Sequence, residues 1–261
     1  MADLLGPRTS GVGSLPDVGS RDAVRQVRDL LVGDVPDGFG IPYVPEQPAR
    51  GPGADMIGRA GDLLVEMPVD LQPSGWRLTP PGSARGRDQR RAQGFLQQDL
   101  DEVAEAYDGY VGPLKTQVCG PWTLAASLWL PRGERVVSDA GASRDLAQSL
   151  AAGAVGHVEH LRRLVPGADV VVLSMHWGPE YSSDASPEQR ELAKKLLESP
   201  EVDLILGTHV HVAQPCEKIN GKYVVYGMGN FLSNQGPSVN SSLKPSTQDG
   251  MIVDVKLTKG D

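Results

Sequence analysis

The chain has 261 residues, 39% hydrophobic and 22% charged, with a formal net charge of -8 at pH 7, enough to bury a sizeable core as one large or two small domains. The acidic balance excludes binding to nucleic acid or to an anionic membrane through a broad basic surface. Two cysteines far apart, Cys119 and Cys216, exclude a disulfide framework or a Cys-x-x-Cys zinc knuckle. Residues 1–16 hold no apolar signal-type run, and no stretch approaches eighteen apolar residues, so a cytoplasmic chain without a membrane anchor is expected.

In chain order, Gly11-Val12-Gly13-Ser14-Leu15-Pro16 reads as a short strand, near 10–14, running into a glycine-rich turn. Ser20 then suits the cap of a helix with Val24, Val27, Leu30 and Leu31 on one face. Residues 36–52 are rich in Pro and Gly and read as loop. Met56, Ile57, Ala60, Leu63 and Leu64 predict a second helix, Val69 to Gln72 a second strand, and 74–87 a further loop. Ala92, Phe95, Leu96, Val103 and Tyr107 mark a third helix, and Leu114 to Val118 a third strand. A long helix from about Ser143 to Val165 follows, carrying His157 and His160, which read as core-edge or solvated histidines near a helix end that favours cations.

Val170 to Leu173 form a continuous apolar run bounded by Pro166-Gly167 and Gly178-Pro179. That pattern fits a parallel strand covered on both faces. It ends in His176, and a second apolar strand at 203–206 ends in Gly207-Thr208-His209-Val210-His211. Between them Ser186-Pro187-Glu188-Gln189 forms a capping box with Pro at the first helical position, and Leu192, Ala193, Leu196 and Leu197 form that helix's apolar face. Strands near 223–226 and 251–256 complete the pattern. Strand, helix and strand at this spacing make an α/β architecture. Because such proteins place chemistry at the carboxyl ends of strands, His176, His209 and His211 are candidate metal ligands.

Residue usage changes abruptly at this strand. Residues 1–167 hold sixteen Arg and one Lys, Lys115, whereas residues 168–261 hold seven Lys and one Arg, Arg190; all four Asn follow the change. Lys and Arg are interchangeable on most solvated surfaces, so the shift points to a mosaic of 1–167 and 168–261, the alternative being chance at a domain boundary.

Gly11-Val12-Gly13-Ser14-Leu15-Pro16, Gly53-Ala54-Asp55-Met56-Ile57-Gly58-Arg59, Gln72-Pro73-Ser74-Gly75-Trp76-Arg77 and Gln117-Val118-Cys119-Gly120-Pro121-Trp122-Thr123-Leu124 together resemble the first half of the cobalamin-independent methionine synthase-like proteins. That family implies a (β/α)8-type barrel half over 1–167, zinc activation of a homocysteine thiol, and an amino-acid substrate contact at Ser14. The family's zinc ligands lie in its second half, and no His-x-Cys pair occurs here, so methyl transfer is not expected.

His176-Trp177-Gly178-Pro179-Glu180-Tyr181, Gly207-Thr208-His209-Val210-His211 and Tyr226-Gly227-Met228-Gly229-Asn230-Phe231 resemble the poly-γ-glutamate capsule-biosynthesis (CapA-like) proteins of the calcineurin-like metallophosphoesterase fold. The resemblance covers about 168–257. It implies metal-dependent phosphoester chemistry on a small molecule or polymer precursor, with His176, His209 and His211 as ligands and Glu180 as the candidate catalytic carboxylate. Imidazole donors favour Mn, Fe or Zn over calcium. The family draws about half its ligands, an Asn among them, from the first half of its domain, and 1–167 contains no Asn, so a single ion is expected. Asn230 is expected to be structural.

The expected fold is thus α/β, a partial barrel half joined through a shared strand, Asp169 to Met175, to part of a metallophosphoesterase domain. Whether the strands make one composite sheet or an incomplete barrel stays open, as does oligomeric state. Three functional readings follow: a CapA-like metallophosphoesterase with an incomplete metal centre, a methionine synthase-like zinc methyltransferase, and a chimeric α/β protein with neither activity.

Overall fold

A computed structural model describes residues 9–16, 19–33, 40–168, 170–230, 233, 235–253 and 255. In order these form α1 (Ser20–Leu31), α2 (Met56–Leu63), β1 (Val69–Gln72), β2 (Gly75–Leu78), α3 (Arg87–Ala106), β3 (Pro113–Cys119) and α4 (Pro121–Ser127). There follow α5 (Ala140–Leu164), β4 (Val170–His176), α6 (Pro187–Glu198), β5 (Leu204–Thr208), β6 (Cys216–Ile219) and β7 (Lys222–Val225). A five-stranded sheet runs in the order β3-β4-β5-β7-β6, and β1 and β2 make a separate two-stranded sheet. β3, β4, β5 and β7 are mutually parallel and β6 is antiparallel to β7. The composite sheet thus joins a strand from each side of the compositional change.

β4 is buried on both faces, as its apolar run requires: Val171, Val172 and Leu173 are fully enclosed and Met175 nearly so. Each such side chain contributes roughly 1.5–3 kcal/mol of burial. One core cluster spans the compositional change, holding Val118, Leu146 and Leu150 together with Leu173, Trp177, Leu192, Ile205 and Tyr226. α6 begins with the expected capping box, Ser186 accepting from the Gln189 N–H while the Gln189 side chain accepts from the Ser186 N–H, and buries Leu192, Ala193, Leu196 and Leu197.

Several sequence expectations are corrected. Residues 74–87 are not all loop: Gly75–Leu78 pairs with β1 across the two-residue turn Pro73-Ser74, and the alternation that buries Trp76 and Leu78 is the period-2 pattern of a strand. β6 was unforeseen, although Asn220-Gly221, both at positive φ (50° and 80°), is a strong two-residue hairpin signal. Ser20 is the first helical residue of α1, not its cap, which is Gly19; Leu30 points to solvent at 69% exposure. The expected strand at 10–14 is reduced to isolated parallel bridges, Thr9 with Gly40 and Ser14 with Glu46, while Tyr43 bridges Lys115 of β3. Residues 251–253 and 255 form no strand; a single antiparallel bridge joins Gly229 to Gly250. Asp169, Phe231, Asn234, Asp254 and 256–261 lie outside the described residues.

Between α1, α2 and α3 lies a buried ionic lattice. Asp99 is fully enclosed and accepts from Arg50, from Arg59 and, at 2.7 Å, from the Ser20 hydroxyl. Arg59 also pairs with Glu46 at 3.6 Å.

His157 on α5 is buried, not solvated, with its Nε2 3.0 Å from the Thr116 hydroxyl. Burial, with the nearby Arg59 and His160 charges, depresses its pKa to about 4. Between about pH 6.5 and 4 the unfolded chain therefore binds a proton that the folded chain refuses. The stability His157 supports is complete above about pH 6.5 and lost as pH falls toward 4, on the order of 3 kcal/mol over that window. Asp62, raised by burial to about 6, acts with the opposite sign below that pH. The check is therefore the difference between parent and His157→Gln in urea-unfolding free energy at pH 7 and pH 4.5. The variant is expected to lose less stability on acidification, and parallel losses would refute the assignment.

Candidate functional site

The sheet register brings the sequence-predicted residues together. Cys119 of β3 pairs with His176 of β4, and His176 pairs with Thr208 of β5, so His209 and His211 leave the sheet beside the end of β4. The rings of His176 and His209 are 4.3 Å apart between centroids at 34°, and those of His209 and His211 are 6.2 Å apart. Tyr181 stacks on His211 at 5.9 Å. Tyr181, His209 and His211 all hold positive φ, at 63°, 90° and 60°, a strained conformation for non-glycine residues that packing around a site must sustain.

That packing is visible. Trp177, nearly fully buried, donates its indole N–H to the Tyr226 carbonyl at 2.8 Å and stacks on the Tyr226 ring. Gly207 leaves the room for this: a Cβ there would lie 1.9 Å from the Tyr226 oxygen and 2.4 Å from Trp177 Nε1. Behind the loop that follows β4, Gln189 donates to Gln214 at 3.0 Å, and Gln214 donates to the Ser182 and Asp184 carbonyls. The Tyr181 N–H reaches the Val210 carbonyl at 2.8 Å. The two histidine-bearing loops are thereby fastened to each other.

Burial favours the neutral form of two of the imidazoles. Burial, followed by the neighbouring His209, lowers the His176 pKa to about 4, and burial lowers that of His209 as well. The Glu180 carboxylate opposes both shifts; Glu180 itself is exposed, beside the cluster.

Two side chains that sequence reasoning did not assign to the site hold its rings. Asn230 Oδ1 lies 2.9 Å from His211 Nδ1, while its amide nitrogen donates to the Thr247 carbonyl at 2.9 Å. The Gly-Asn-Phe motif marked Asn230 as a structural turn residue; it also orients a histidine. The Thr123 hydroxyl lies 3.3 Å from His176 Nδ1, and nothing in the local sequence connects those residues.

With metal–nitrogen bonds of about 2 Å, imidazoles sharing a cation have centroids roughly 4–6 Å apart, so the donor chemistry and the closer ring pair suit a divalent transition metal. His209 neighbours both His176 and His211, yet among the described residues no group of three His, Cys, Asp or Glu is placed to hold a metal ion. Ser14 is not part of the cluster: it is exposed and bridges Glu46, on the far side of β3 from β4. Burial pushes the Cys119 thiol pKa well up, so it is no ready thiolate.

The class defined is an α/β protein with a parallel-rich sheet and a histidine cluster at the carboxyl ends of adjacent strands. Residues 123–235 match the family model of the bacterial capsule synthesis protein PGA_cap. The chain is 38% identical over 92 residues to the PGA biosynthesis protein CapA of Bacillus subtilis, covering 35% of this chain and 22% of that protein. It is 41% identical over 69 residues to the capsule biosynthesis protein CapA of Bacillus anthracis, covering 26% and 16%. The chain thus spans about a fifth of the length of these curated relatives. No solved structure matches it. Among the described residues no helix is long and apolar enough to cross a membrane.

Proposed function

We propose that the chain is a CapA-like protein of poly-γ-glutamate capsule biosynthesis with His176, His209 and His211 as candidate ligands of a single divalent transition metal, Mn, Fe or Zn, bound first by the close His176–His209 pair, for phosphoester chemistry on a small-molecule or polymer-precursor substrate. The observation that carries this is the cluster of three imidazoles on two adjacent strand ends, with Nδ1 of the two outer rings tied to Thr123 and Asn230. A divalent cation there would supply the positive charge that polarises a phosphoryl oxygen and acidifies water. His176 and His209, held neutral by burial, offer lone pairs in place of competing protons. Glu180, exposed beside them, would take a proton on its carboxylate from an incoming water. The absence from the cluster of bridging carboxylates favours an open, modestly binding site over a closed structural one.

Metal analysis of purified protein tests the reading. The parent is expected to retain close to one equivalent of Mn or Zn after buffer exchange, and a His209→Ala, His211→Ala double variant to lose it. Equal metal content in the two would remove the site.

A second reading applies to 1–167. The resemblance of its four motifs supports the methionine synthase-like barrel half as the origin of that segment, and the Arg-to-Lys shift supports a mosaic. The high Cys119 pKa and the missing second-half ligands argue against any surviving methyl transfer.

A further inference from the structure

We infer that Thr123 is a positioning residue that holds His176 as its Nδ1–H tautomer, leaving Nε2 as the lone-pair nitrogen. Its consequence for metal binding rests on the reading above; the tautomer itself does not. Thr123 lies in the first turn of α4, directly after β3, and the start of that helix is fastened to the end of β4: the Gly120 N–H donates to the His176 carbonyl at 2.6 Å. Only glycine fits there, since a Cβ at 120 would lie 2.3 Å from the same oxygen. The Thr123 hydroxyl is thereby set against both polar atoms of His176, 3.4 Å from the carbonyl oxygen and 3.3 Å from Nδ1.

The assignment follows from donor and acceptor capacity. A carbonyl oxygen only accepts, so both contacts are hydrogen bonds in one arrangement alone: the single hydroxyl proton goes to the carbonyl and the Thr123 oxygen turns a lone pair toward Nδ1. A ring nitrogen facing a lone pair must bring the proton itself. The neutral imidazole then carries its hydrogen on Nδ1 and its lone pair on Nε2.

His211 obeys the same logic from the other side of the cluster. The Asn230 amide nitrogen is engaged with the carbonyls of Thr247 and His211 and with the Gln235 side-chain oxygen. Its Oδ1 is therefore the atom that faces His211 Nδ1 and accepts from it. Two partners from distant parts of the chain leave the same nitrogen free on the two outer rings. Outer partners of this kind orient metal-ligating histidines, and their loss commonly costs about 10–100-fold in metal affinity.

The test uses full-length protein labelled with 15N in histidine. A long-range 1H–15N correlation spectrum of the metal-free protein near neutral pH reads each tautomer directly, with His176 identified by the signal that His176→Gln removes. Parent and Thr123→Ser, which keeps the hydroxyl, are expected to show protonated Nδ1 and bare Nε2. Thr123→Val, of matching shape, is expected to show a tautomer mixture and, in a Zn²⁺ or Mn²⁺ titration, binding weaker by about 10-fold or more. Parent protein with His176 protonated at Nε2 overturns the inference, and so does a Thr123→Val variant unchanged in tautomer. A parent that shows the expected tautomer yet binds no cation supports the positioning role and counts against the metal reading alone, so the two fail separately. Should Thr123→Val not fold, the parent spectrum still decides the tautomer.

Discussion

Asp99→Ala is expected to lower the unfolding free energy by about 3–5 kcal/mol, the usual cost of removing one partner from a buried ion pair. Asp99 is fully enclosed and supplies the carboxylate shared by Arg50 and Arg59; the Arg59 side chain is 8% exposed and that of Arg50 17%. Without it, two guanidinium groups and the Ser20 hydroxyl lose their acceptor together, and Glu46, 3.6 Å from Arg59, cannot serve both arginines. The lattice ties α1 and α2 to α3, so the loss should appear as a lower urea midpoint with an unchanged dependence on denaturant. A midpoint that moves by less than about 1 kcal/mol equivalent would show that water reaches the arginines and relieves them.

Gly207→Ala is expected to cost about 3 kcal/mol or more and to disorder the histidine cluster with it. The added carbon would sit between Trp177 Nε1 and the Tyr226 oxygen, where a 2.8 Å hydrogen bond now runs. Overpacking of this kind costs about 1–3 kcal/mol, and leaving a buried indole N–H unsatisfied adds about 1–3 kcal/mol. Because the nearest obstructing atoms, the Tyr226 carbonyl oxygen and carbon, are backbone directly after β7, they cannot rotate away. The control is Gly156→Ala on α5, where an added Cβ meets nothing within 4 Å; there helix propensity predicts a gain of about 0.5–1 kcal/mol. Thermal unfolding followed by tryptophan fluorescence compares the two. A Gly207→Ala protein melting with the parent would show that β5 and β7 separate more readily than their spacing implies.

The histidine cluster was legible because each strand carries its own burial pattern. The run Val170 to Leu173 and the run from Val202 to Leu206 both demand enclosure, and both end where polar residues resume, which put His176, His209 and His211 at strand ends. The α6 capping box was legible for a similar reason, since Ser186, Pro187 and Gln189 complete it within one turn. The β2 and β6 strands were missed because each is four residues long and only partly buried, so the apolar signal was weak; their turn residues were the better guide. Leu30 shows the reverse error, an apolar residue in helical spacing that stays largely exposed.

Sequence alone determined the α/β class, the strand-end histidines, the capped helix before β5 and the change in Arg and Lys usage, because those follow from local pattern or from composition. Only the tertiary structure decided that β3 and β4 share one sheet, that Asp99 serves two arginines, and that the His176 and His209 rings lie closer together than those of His209 and His211. It alone also placed Thr123 against His176 and turned Asn230 toward His211. Those outcomes depend on register between segments distant in the chain, and register is set by the packing of whole faces, to which no single stretch of sequence has access.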